Sequence, residues 1–218
     1  MKKIIIKAFV LPLLICCFFV GYYVKMGINA ASNTYTASGF YRTDFTQGIA
    51  YEGPMQFATT LGYSPSVNSN STVTNWKNIT ASSRVVFLHT HGLPGLFTLS
   101  TSADVTGNSI STMSFSNTPR LVYISACQTG AYSATNGSVG YNLVSKGVDA
   151  VVAFTTNVTA STNTNGIHRF NSIVAYKLVH SYTLSNSLSQ ALTQLYSESG
   201  SYWGANSYVV SGTSSITF

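Results

Sequence analysis

The chain has 218 residues, a formal net charge of +6 and only 7% charged residues. Four of its eleven basic residues (Lys2, Lys3, Lys7 and Lys25) belong to an N-terminal leader, so the remainder holds seven basic and five acidic residues, a balance of +2. That remainder has no Lys/Arg cluster, which excludes nucleic acid as a partner on charge grounds.

Residues 1–31 read as the leader. Lys2, Lys3 and Lys7 give a positive start, Ala8 to Val24 is almost wholly apolar, and Ala30 and Ala31 offer a cleavage point. The apolar run is interrupted by Pro12 and is short for a membrane span, which wants roughly 20 residues. Ile28, three residues before such a cut, keeps an uncleaved N-terminal membrane anchor open beside the signal-peptide reading. Ile15 before Cys16 weakens a lipoprotein reading. Residues 32–218 are then expected to form a single domain. They are rich in Ser, Thr, Asn, Gly and Tyr, a composition that fits a secreted, extracellular bacterial protein. Asn70, Asn78, Asn136 and Asn157 each head an N-x-Ser/Thr triplet, as chance allows in such a chain.

A strand is expected near Gly39–Arg42. Gly48 to Leu61 reads as a helix, with Gly53-Pro54 at or near its start and Gly62 as its stop. Residues 63–83 read as a Ser/Asn/Thr-rich connection in which Trp76 and Ile79 anchor a short helix. Val85 to His89 is an apolar run of buried-strand character, and Gly92-Leu-Pro-Gly95 is a turn. Residues 96–118 suggest a hairpin or loops. Leu121 to Ser125 is a second buried strand, Val139 to Lys146 a helix, and Ala150 to Phe154 a third buried strand. Ile167 to His180 is an amphipathic helix by its apolar spacing. Ser187 and Gln190 form a candidate capping box for a last helix. Terminal strands are expected at Tyr208–Val210 and Ser215–Phe218. Buried strands separated by helices imply a mostly parallel sheet covered on both faces, a three-layer α/β/α sandwich.

The working site of such a sheet lies at the carboxyl ends of its strands. His91 and Cys127 fall just beyond the ends of two successive strands. Cys16 and Cys17 lie in the leader, so Cys127 is the only thiol of the body. A cysteine nucleophile works as its thiolate, assisted by an imidazole that later protonates the leaving amine. Backbone N–H groups must receive the developing oxyanion. Gly92, lacking Cβ, suits that task, with the Cys127 N–H as second donor. An inert buried cysteine is the competing reading. The strand-end position and the following Gln-Thr-Gly argue against it.

His91-Gly92 after one apolar strand, and Ser125-Ala-Cys127-Gln-Thr-Gly130 after another, resemble the caspase–haemoglobinase fold of the clan CD cysteine peptidases. The closest flavour is the CHAT domain, with gingipain-type and caspase-like bacterial peptidases as relatives. Leu143-Val-Ser-Lys-Gly147 and Ala150-Val-Val-Ala-Phe154 follow in the corresponding order, and the resemblance covers roughly residues 80–212. It implies a Cys127 nucleophile, His91 as general base and acid, an oxyanion hole from the Gly92 and Cys127 N–H groups, and a dyad that needs no third acid. The chain departs from the pattern at Gln128, where CHAT sequences often have Glu. It departs again at Ser125, where relatives cutting after Arg or Lys often have Asp and those cutting after Asp have Gln. Neither preference carries over, and Ser125, Phe154 and Asn157 are the candidate neutral pocket residues. Asp104 and Asp149 are the acids that would make a negative pocket, with Asp149 fitting the turn before the third strand better.

His89 and His91 form an H-x-H pair, but a zinc site needs further ligands, so no metal and no organic cofactor are expected. His89 reads as a packing or tuning residue near the dyad, and His168 and His180 as helix-surface or helix-end residues. The resulting expectation is a secreted cysteine endopeptidase acting on protein or peptide substrates through a thioester, touching membrane only through its N-terminal segment. The alternatives are an inactive exported module on the same fold and another thiol acyl or amide transferase.

Overall fold

A computed structural model describes residues 35–159 and 166–218. The leader read over residues 1–31, with Cys16 and Cys17, lies outside the described residues. Along the chain come β1 (Thr36–Tyr41), α1 (Ile49–Leu61), β2 (Ser64–Ser69), α2 (Val73–Thr80), β3 (Val85–His89), β4 (Gly92–Leu93), β5 (Leu96–Ser100) and β6 (Ala103–Thr106). They are followed by α3 (Gly107–Thr112), β7 (Leu121–Ser125), α4 (Val139–Ser145), β8 (Ala150–Phe154), α5 (Ile167–Val179), α6 (Leu184–Ser199) and β9 (Tyr208–Gly212).

Six strands form one sheet in the order β2-β1-β3-β7-β8-β9. All neighbours are parallel except β9, which runs antiparallel to β8 at the edge. The three apolar runs β3, β7 and β8 are fully buried and sit next to one another. Alternation sends Val85, Phe87, Leu121, Tyr123, Val152 and Phe154 to one face, against Ile49, Phe57, Phe170 and Val174 of α1 and α5. Val86, Leu88, Val122, Ile124, Val151 and Ala153 go to the other face, against Trp76, Phe97, Val139 and Leu143. Each large apolar side chain so buried contributes roughly 1.5–3 kcal/mol. The result is the expected three-layer sandwich, with a small antiparallel sheet β4-β5-β6 beside it.

Several local expectations are corrected. β2 lies inside the segment read as a connection; Ser-Pro-Ser-Val-Asn-Ser lacks an apolar face because it is a half-exposed edge strand, where proline is tolerated. Pro54 sits within α1, in its second turn, not near its start. The cap of α6 is Thr183, whose side chain accepts from the Asn186 N–H; Ser187 is buried inside the helix. The tail after β9 is not a strand: its Ile216 and Ser214 carbonyls accept from Leu184 and Ser185 at the start of α6. Within residues 96–118, read as a hairpin or loops, lies the short helix α3, with a capping box between Thr106 and Ser109.

Candidate active site

β3 and β7 pair in parallel with His89 opposite Ser125. His91 and Cys127 each lie two residues further on, at the same edge of the sheet. Both line a cavity of 440 Å³ whose floor includes His89 and Ser125 and whose walls include Phe45, Asn157, Val158, Thr159 and Ile167. Phe45 comes from the loop after β1, and Asn157 to Thr159 from the loop after β8. The cavity is therefore assembled from the carboxyl ends of four parallel strands.

His91 is half exposed, and its Nε2 lies 3.3 Å from the Asp44 carboxylate. Arg42 clamps that carboxylate with two hydrogen bonds, at 2.9 and 2.7 Å, and donates a third to Thr98 Oγ1 at 3.0 Å. The Thr98 N–H in turn donates to the His91 carbonyl at 3.1 Å. The Arg42 guanidinium holds the Asp44 carboxyl below the usual carboxylate range, with a smaller contribution from His91. With Nε2–H donating to Asp44, Nδ1 is the imidazole nitrogen left for chemistry. The edge of Phe45 packs on the His91 ring, centroids 4.3 Å apart.

Cys127 is partly buried, and its Sγ–H points to the Val158 carbonyl at 3.6 Å. Among the described residues no hydrogen bond joins it to His91; catalytic pairs often close only when substrate arrives. Gln128, immediately after it, takes a left-handed backbone conformation with φ 56°, which a non-glycine residue adopts only when its surroundings impose it. Here the Gln128 and Gly130 N–H groups donate to the Thr156 and Phe154 carbonyls at 3.0 and 2.9 Å, fixing the turn to the end of β8.

Packing gives Gly92 a reason of its own to be glycine. A Cβ there would lie 2.1 Å from Thr129 Oγ1 and 2.4 Å from the Cys127 carbonyl oxygen. The His91 loop and the Cys127 turn are thus in direct backbone contact. The Thr129 hydroxyl, donating to the Leu96 carbonyl at 3.0 Å, ties the turn to the hairpin that follows.

Beneath these residues lies a second, buried layer. His89 is 2% exposed and packs against His168, with ring centroids 4.7 Å apart and the planes tilted by 48°. Burial, with a lesser contribution from His168, pushes His89 down to about 3. Burial also lowers His168, which sits at the end of α5, one of the two places expected, but is buried there rather than on the helix surface, with Thr46 Oγ1 at 3.4 Å from its Nε2. Ser125, 1% exposed, accepts from Asn171 Nδ2 at 2.8 Å, and Asn171 Oδ1 accepts from the Tyr123 hydroxyl at 2.6 Å.

Of the candidate pocket residues, Ser125 and Asn157 line the cavity. Phe154 does not: its ring lies in the core against Tyr123 and Phe170, because position 154 alternates toward the α5 face. Asp149 pairs with Arg120 at 3.3 Å in the turn before β8, and neither it nor Asp104 lines the cavity. His180 caps α5 with Nδ1–H donating to the Tyr176 carbonyl at 2.7 Å. Among the described residues no three His, Cys, Asp or Glu side chains cluster as metal ligands would. Asp44, Arg42, Phe45, Val158, Thr159 and Asn171 escaped the sequence reading. Asp44 to Phe45 follow the first parallel strand directly, and that position was the available signal.

Residues 45–213 match the family model of the CHAT domain. No curated protein is similar to the chain in sequence. In structure it is similar to the Arg-specific cysteine proteinase gingipain R, with TM-score 0.59 and 13% identity over 84% of this chain and 46% of that one. A second solved protease is similar at TM-score 0.55 and 10% identity, over 86% of this chain and 49% of that one. Caspase-1 from Spodoptera frugiperda is similar at TM-score 0.51 and 12% identity, over 84% of this chain and 90% of that one. At these identities the likeness shows the fold, which is the caspase–haemoglobinase arrangement. The chain spans about half the length of the matched chains of gingipain R and the second protease.

Proposed function

We propose that this chain, which belongs to the CHAT domain family, is a cysteine endopeptidase acting through His91 and Cys127. The observation that carries the reading is the parallel register of β3 and β7, which brings both residues to one cavity. His91 Nδ1 takes the thiol proton. The thiolate attacks the carbonyl carbon of the scissile peptide bond, forming a C–S bond and an oxyanion. The Gly92 and Cys127 N–H groups are the proposed donors to that oxyanion. The C–N bond then breaks, and the imidazolium gives its proton to the leaving amine. Water, deprotonated by His91, attacks the thioester; the C–S bond breaks, the product leaves as a carboxylic acid, and the thiol is restored. Asp44 keeps the imidazole in the orientation and tautomer these transfers require.

Protein or peptide substrates follow from this chemistry. Export through residues 1–31, as signal peptide or anchor, is the accompanying proposal for where the enzyme acts; among the described residues no helix is long and apolar enough to cross a membrane. The test is a peptide-library digest comparing wild type with Cys127→Ala. Thiol-dependent cleavage is expected, and cleavage that survives the substitution would overturn the mechanism. The contact of Cys127 with Val158 rather than His91 favours a rival reading, a non-catalytic binding module. Iodoacetamide labelling of Cys127 no faster than that of free cysteine would support that rival.

A further inference from the structure

The steps above leave the buried layer unused. His89 lines the cavity, yet neither of its ring nitrogens has a hydrogen-bond partner among the described residues. A buried imidazole with an unmet donor and an unmet acceptor is a costly arrangement, and it is accounted for when a ligand supplies both partners. Ser125 stands beside it in register on the next strand. Its oxygen already accepts from Asn171, so its own proton remains to be donated. Asn171 is held in turn by the Tyr123 hydroxyl, which donates to its Oδ1. The cavity floor therefore sets an imidazole with unpartnered nitrogens next to a hydroxyl whose proton remains to be donated.

Among the described residues the cavity lining contains no Lys, Arg, Asp or Glu. His89 does not supply a cation either, since burial keeps it neutral throughout the physiological range. Building on the peptidase reading, the geometry points to a substrate whose residue on the acyl side of the scissile bond is asparagine or glutamine, its carboxamide received by His89 and Ser125. A carboxamide brings a carbonyl acceptor for the hydroxyl proton and, as acceptor or NH₂ donor, a partner for an imidazole nitrogen. A carboxylate would enter with no cation to meet it, and an ammonium or guanidinium with no anion. An aliphatic side chain of the same size would leave the imidazole and hydroxyl unpaired, and sites built for hydrogen bonds discriminate strongly against such analogues.

The experiment is a set of internally quenched peptides that differ only at this residue: Asn, Gln, Asp, Glu, Lys, Arg, Leu and Met. Wild-type kcat/KM is expected to be about 100-fold higher for Asn or Gln than for the charged residues and for the isosteres Leu and Met. His89→Phe and Ser125→Ala should each bring the ratio of carboxamide to isostere toward one. That ratio is read within one preparation and is insensitive to loss of folded protein. Cleavage that is abolished by Cys127→Ala but prefers a charged or apolar residue would overturn the inference and leave the peptidase reading standing. So would a carboxamide preference unmoved by both substitutions. If no peptide is cleaved and Cys127 is not acylated by carboxamide-bearing peptide electrophiles, the peptidase reading falls and this inference falls with it.

Discussion

Two pairs of residues stand two positions apart on the same two strand ends, and they differ in almost everything but chemistry. The outer pair, His91 and Cys127, lies at the mouth of the cavity, with His91 52% exposed and braced by an ion-paired carboxylate. The inner pair, His89 and Ser125, is 2% and 1% exposed, and its histidine has no charged brace. Each pair sets an imidazole beside a small hydroxyl or thiol. In the proposed mechanism the exposed outer imidazole exchanges protons, whereas burial keeps the inner one neutral and fit to donate and accept hydrogen bonds. The contrast teaches that reactivity at a strand end is assigned by depth as much as by residue type.

The largest blow to this contrast is Cys127→Ala, which should lower peptide hydrolysis by at least about 10⁴-fold, measured as kcat/KM on a cleaved peptide; Ser125→Ala, by comparison, should shift selectivity. His91→Ala should cost about 10³-fold in kcat, readable in single-turnover assays. Acid should attack the inner pair. The unfolded His89 titrates near 6.5 and the folded one near 3, so the unfolded state binds the extra proton between these values. Stability is therefore present above about pH 6.5 and is lost as pH falls through that window, by roughly 3–5 kcal/mol. Urea unfolding at stepped pH should show this slope, and His89→Phe should flatten it. Asp44 and Glu198 have lowered carboxyls, whose contribution is lost as pH falls from the ordinary carboxylate range downward and so overlaps only the lower part of the His89 window; the variant separates the two. Gly92→Ala should destabilise the protein by about 1–3 kcal/mol, because its Cβ must displace Thr129 or the Cys127 carbonyl; thermal unfolding checks it. The smallest effect is Asp44→Asn, at about tenfold in kcat with KM little changed, since this brace is itself half exposed.

The legible parts of the chain were those whose local pattern and tertiary fate coincide. β3, β7 and β8 are continuous apolar runs because both faces of each are buried, so their bounds could be read directly. β2 was hidden because an edge strand half in solvent needs no apolar pattern. The cap of α6 was misplaced because Ser187-x-x-Gln190 satisfies the capping pattern locally, while burial of Leu184 extends the helix a turn earlier to Thr183. His91 and Cys127 were legible from their strand-end positions. Asp44 was not, because nothing local ties residue 44 to residue 91; parallel pairing of β1 with β3 does.

The sequence by itself determined the layered α/β class and the strand ends that carry His91 and Cys127. It could do so because hydrophobic period and turn chemistry act over a few residues. Only the tertiary structure decided which side chains share the cavity, that Phe154 turns into the core, and that His89 and His168 meet in a buried pair. Those outcomes depend on strand order, register and depth, which are set by contacts between residues tens of positions apart.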